Sequence, residues 1–105
     1  MQHYSAGFCA CGTKEEAEHI ASVLVEEKNA ACVTLLNGAV SVYRWKGKIV
    51  KGREIILLIK TVQEKQSACI AAVQEHHSYE NPEIIFVDIS GGSEEYLAWL
   101  GTCLK

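Results

Sequence analysis

A chain of 105 residues has room for one hydrophobic core and sits near the lower end of sizes that fold unaided, so a single domain over residues 1–105 is expected. An apolar fraction of 49% beside a charged fraction of 22% is an ordinary globular balance, with no disordered tract or low-complexity segment. A net charge of −3 with no block of Lys or Arg argues against a nucleic-acid backbone or an anionic membrane as the main partner, and no apolar run is long enough to cross a bilayer.

The first predicted element is a strand from Tyr4 to Cys11, closed by Gly12. Thr13-Lys14-Glu15-Glu16 then reads as a capping box, with the Thr13 hydroxyl accepting a helix N–H and Glu16 reaching back to the cap. The helix it starts carries Ala17, Ile20, Ala21 and Leu24 at helical spacing and should stop near Lys28-Asn29. Two β-rich stretches follow, Ala30 to Arg44 and Ile49 to Thr61, joined by a turn at Lys46-Gly47-Lys48. Both exceed the common strand length of about five or six residues, so this hairpin should project past a small sheet. Lys51-Gly52-Arg53 reads as a bulge or bend in the return strand. A second helix is expected from Gln63 to His77 with Cys69, Ile70 and Val73 on its apolar side, then a strand from Glu83 to Ile89. Ser90-Gly91-Gly92-Ser93 is loop, and Glu94 to Leu104 closes the chain as a helix.

The order β-α-β-β-α-β plus a C-terminal helix is the ferredoxin-like split β-α-β arrangement, an α+β fold with a long protruding hairpin. Right-handed crossovers leave few other ways to connect these elements. In this topology the end of the first strand and the end of the second helix lie at the same end of the domain. Cys9 and Cys11 are thereby brought toward His76, His77 and Glu80.

The stretch His76-His77-Ser78-Tyr79-Glu80-Asn81-Pro82-Glu83 holds more chemistry than a helix stop requires. Pro82 and Asn81 suffice to end the helix, and His76 and His77 can bond its last carbonyls. A soft thiolate with two imidazoles would also suit copper or zinc. Adjacent residues on a regular helix diverge by ~100°, so both histidines reach one ion only where the helix frays. Cys9 and Cys11 share a strand face, and either can be a ligand or a buried thiol. Glu80 can ligate, orient a histidine, or continue the turn. Cys32, Cys69 and Cys103 read as packing, and all five cysteines read as reduced thiols, being odd in number and irregularly spaced. Tyr43 and Trp45 near the hairpin tip read as anchors against another subunit. No nucleophile with a base and an orienter appears, so no enzyme activity is expected. Met1-Gln2-His3-Tyr4-Ser5 lacks the basic and apolar regions of a secretory signal, which makes the cytoplasm the expected location.

Five blocks, in order, carry a family likeness. They are Ala30-Ala31-Cys32-Val33, Ser41 through Lys48, Glu54 with Leu58-Ile59-Lys60-Thr61, His77-x-Tyr79-Glu80-x-Pro82-Glu83, and Tyr96-Leu97-x-Trp99-Leu100. Together they resemble the divalent-cation-tolerance CutA family over nearly the whole chain. The resemblance implies a ferredoxin-like subunit built into a tight homotrimer through its hairpins, similar in outline to the PII signalling proteins. It also implies a divalent metal partner, Cu(II) first and Zn(II) second, at positions matching Cys9, His76 and His77. Where Ser78 stands the family usually has Pro, and a Pro is also common where Cys11-Gly12 ends the first strand, so a looser turn is expected beside the histidines. Three readings follow: a metal-binding trimer concerned with cation tolerance, a PII-like ligand-binding trimer with a cleft closed by Tyr79, Glu80, Trp45 and Lys60, or a structural trimer without a ligand.

Overall fold

Residue alternation sets up the first strand in the computed structural model, which describes residues 2–105. In β1 (Tyr4–Cys11) the side of Ser5, Cys9 and Cys11 is buried, while Tyr4, Ala6 and Phe8 on the other side are half-buried. Helix α1 (Lys14–Glu26) begins where Glu16 N–H donates to Thr13 Oγ1 at 3.2 Å, and it buries Ala17, Ile20 and Leu24. Only this half of the expected capping box forms, because the Glu16 carboxylate turns away to Ser78.

The hairpin consists of β2 (Cys32–Trp45) and β3 (Lys48–Val62). Its turn is tighter than expected, with Lys46 and Gly47 both at positive φ (51° and 80°), the backbone of a two-residue turn whose twist matches the strands. The bulge lies elsewhere than predicted. Gly52 pairs regularly with Ser41, whereas the register slips between Leu36 and Ala39, so that Asn37-Gly38 faces the single residue Ile55. Gly38 has φ 83°, a conformation that glycine adopts without steric cost.

A 3-10 turn at Gln63–Lys65 leads into α2 (Gln66–His76), which ends one residue earlier than expected because His77 is extended. Strand β4 (Ile85–Ile89) and α3 (Glu94–Thr102), capped by Ser93, complete the chain. The four strands form one antiparallel sheet in the order β2-β3-β1-β4, the ferredoxin-like arrangement.

The two faces of this sheet differ. Helices α1 and α2 cover one, packing Ile20, Leu24, Cys69 and Val73 onto Cys9, Cys11, Leu57 and Ile59. On the other, Leu100 and Leu104 from α3 and the chain after it cover only the end carrying Tyr4 and Val62. Leu36, Ile85 and Val87 stay exposed there beside half-buried Phe8. The hairpin stretches the molecule to 44 × 25 × 22 Å.

Candidate functional site

The extended backbone at His77 swings its side chain under the end of β1, where it has no exposed surface. Donor atoms of Cys9, Cys11 and His77 there lie within 4.8 Å of one another. They are the only such group of three or more metal-capable side chains among the described residues. Both cysteines are fully buried. A hydrogen bond from Cys9 to Cys11 couples the thiols: it holds Cys9 protonated far above the usual range, with burial adding to the effect, and draws Cys11 down. Cys11 is therefore the first to give a thiolate.

Two backbone bonds fix the His77 tautomer. Ala10 offers a carbonyl oxygen 2.7 Å from His77 Nε2, and a carbonyl only accepts, so Nε2–H donates. Nδ1 then accepts from Tyr79 N–H at 3.1 Å. Ser78, in the turn expected to be looser, is held by its N–H and Oγ donating to the two Glu16 oxygens at 2.5 and 3.0 Å. A proline would lack that N–H.

His76, the last residue of α2, points elsewhere even though the helix frays at His77. Its Nδ1 lies 3.1 Å from His19 Nε2 on α1. Glu80, the other candidate beside the histidines, is exposed and lines a separate cleft of about 620 Å³. That cleft, between the hairpin and the 79–83 turn, also takes in Tyr43, Arg44, Trp45, Tyr79 and Glu83. At its floor Glu54, nearly buried in β3, accepts a hydrogen bond from Tyr79 OH at 2.8 Å. Burial and that carboxylate push the Tyr79 phenol well above its ordinary range. The cleft thus holds three of the four residues expected to close it. Lys60 instead donates to Thr34 Oγ1 at 3.2 Å across the β2–β3 pair.

Of the cysteines read as packing, Cys69 is buried and donates to Asn29 O, Cys103 packs beside Leu100, and Cys32 meets Tyr96 OH at 3.5 Å. All five are free thiols in the structure. Sequence reasoning missed Glu16, Glu54 and His19. The signal for Glu54 was present, an acidic residue heading the apolar run Ile55–Ile59. No local signal pointed Glu16 or His19 at residues more than 50 positions away.

The donor set suits copper or zinc by type. Its atoms, at most 4.8 Å apart, are wider than the about 3.5–3.8 Å between sulfur and nitrogen ligands of one tetrahedral ion. Closing on a metal therefore takes shifts of about an ångström or less. Every buried side-chain nitrogen and oxygen among the described residues already has a partner, so an ion bound by His77 would displace one of the hydrogen bonds of its ring.

Residues 6–103 match the family described as CutA1 divalent ion tolerance protein. A divalent-cation tolerance protein CutA of Yersinia pestis is 38% identical over 96 residues, covering 91% of this chain and 81% of that protein. The crystal structure of CutA from Xylella fastidiosa superimposes with a TM-score of 0.94 at 46% identity, covering 97% of this chain and 98% of that one. CutA1 from Oryza sativa gives 0.95 at 34% identity, covering 98% and 94%.

Proposed function

The chain belongs to the CutA1 divalent ion tolerance family, and on that basis we propose that it is a cytoplasmic homotrimer that binds a divalent metal, copper first and zinc second, and has no catalytic activity. The observation that carries the metal reading is the convergence of Cys9, Cys11 and His77 under the end of β1. These three would hold the ion, with Cys11 as the first thiolate. In this reading Cys9 and His77 are kept from the expected set of Cys9, His76 and His77, Cys11 is taken up from the possible ligands, and His76, bonded to His19, and Glu80, in the cleft, are left out. Copper or zinc would supply a soft Lewis-acid centre bridging the sheet and the turn after α2. Because the core is complete without it, metal is an addition to the fold and the metal-free chain should fold. Binding displaces the proton shared by the two thiols, so affinity should rise with pH.

The homotrimer reading is supported by the uncovered apolar face bearing Leu36, Ile85 and Val87, and by Tyr43 and Trp45 standing exposed on the hairpin. A monomeric soluble chain rarely leaves such a surface open, and closed three-fold symmetry would pair it. A monomeric mass by light scattering at micromolar concentration would overturn this.

The metal test is calorimetric titration of Zn(II), and of copper under anaerobic conditions, into fully reduced wild type and into Cys9→Ser/Cys11→Ser. The variant should lose one tight site per chain. Equal stoichiometry and affinity in both would remove the thiols from the function. A second reading, a PII-like ligand site, is favoured by the cleft, whose volume of about 620 Å³ and aromatic lining are those of a small-molecule site. Native mass spectrometry of the purified assembly would reveal such a ligand as a bound mass that Tyr79→Ala loses.

A further inference from the structure

On the helical layer, two imidazoles that belong to neither the thiol cluster nor the cleft lining meet across α1 and α2. His19 Nε2 and His76 Nδ1 are 3.1 Å apart, with the ring planes 68° from each other. On the far side of the His76 ring, Nε2 faces Glu75 Oε2 at 3.8 Å. His19 is exposed and the His76 side chain keeps 27% of its surface open, so water and ions reach the pair.

We propose that His19 and His76 form a divalent-metal site of their own, a two-imidazole chelate that bridges α1 and α2. Spacing is the first support. Two nitrogens bound to one ion at about 2.0–2.1 Å stand roughly 2.9 Å apart in adjacent square-planar positions and about 3.4 Å apart in a tetrahedron. The observed 3.1 Å lies between them. Orientation is the second. The Nδ1 edge of His76 faces His19, and Glu75 Oε2 stands 3.8 Å from the outward Nε2, beyond hydrogen-bond reach but on the side where ligating histidines commonly direct their other N–H at a carboxylate. Donor type is the third. Two neutral imidazoles with open positions for water suit Ni(II), Cu(II) or Zn(II) and offer little to Mg(II) or Ca(II).

The proton balance sets this site apart from the thiol cluster. Without metal, one of the two facing nitrogens carries the proton of the His19 Nε2–His76 Nδ1 hydrogen bond. When an ion enters, that proton moves through solvent to the other nitrogen of the same ring, both facing nitrogens carry lone pairs, and two neutral imidazoles release no proton. Binding at Cys9 and Cys11 must release at least one. The inference shares with the proposed function a class of ligand and none of its donor atoms, so the two fail separately.

The test is titration of Ni(II) at pH 8, in two buffers of different ionisation enthalpy, into wild type, Cys9→Ser/Cys11→Ser, His19→Ala and Glu75→Gln. The serine variant should keep one Ni(II) per chain, bound without net proton release. His19→Ala should weaken that ion by more than the roughly 10–100-fold that loss of an outer partner costs, and Glu75→Gln by less. Wild-type affinity in His19→Ala, or loss of all Ni(II) binding in the serine variant while it remains folded by circular dichroism, would overturn the proposal. If the serine variant does not fold, His19→Ala against wild type decides alone.

Discussion

The hairpin changes character at Gly38. Toward the sheet, Leu57 and Ile59 of β3 are fully buried beneath α1 and α2. Toward the tip, Val40, Val42 and Ile49 are 56%, 64% and 63% exposed, although the strands pair in regular register and still carry β-branched residues among their charged ones. A strand-forming pattern therefore does not say which chain supplies the cover. The inner half is completed by its own helices, and the outer half is the part that the proposed trimer would cover.

The largest test of that contrast is truncation of the inner half. Leu57→Ala should cost about 2–5 kcal/mol of unfolding free energy, the range for a buried leucine, while Val42→Ala in the outer half should leave the unfolding of a dissociated subunit nearly unchanged. Urea melts at low protein concentration would show both, and an equal loss in the two variants would erase the distinction. Next in size is Trp45→Ala. As a tip aromatic it should cost assembly roughly 2 kcal/mol or more while sparing subunit folding, read as dissociation on dilution by sedimentation velocity. A variant that stays fully associated would show that the tip is not an anchor.

The smallest effect expected is on pH dependence, and it belongs to the inner region alone. Burial pushes the Cys69 thiol from 9.0 to about 11. The folded state therefore keeps a proton that the unfolded chain has lost. Stability from this group is complete below the unfolded value and declines as pH rises toward the folded one, by on the order of 1–2 kcal/mol between pH 8.5 and 10.5. Melts of wild type and Cys69→Ala across that interval should differ in slope in this direction. Parallel curves would mean that Cys69 does not titrate as its burial implies.

Much of the fold was legible because each element carries its own period and punctuation. The Thr13 cap, the apolar spacing of Ala17, Ile20 and Leu24, and the Lys46-Gly47 turn are local facts, and the four-stranded order follows from chain connectivity. The bulge was misplaced because both Gly38 and Gly52 permit one. Which of them takes it depends on how Ile55 to Ile59 seats against α1 and α2, and the register slips beside Gly38.

At the candidate site the sequence determined the inventory: thiols two apart on a strand face, and adjacent histidines at a helix end. Tertiary structure decided the partners. Extended backbone at His77 turned one imidazole inward to Cys9, Cys11 and Ala10, and the packing of α1 on α2 handed the other to His19. Ser78 and Tyr79 found Glu16 and Glu54 in the same way. The reason is physical. Helix period, strand alternation and turn preference act over a few residues, whereas a side-chain hydrogen bond between positions 57 or 67 apart exists only after loops have closed and the core has fixed the distance.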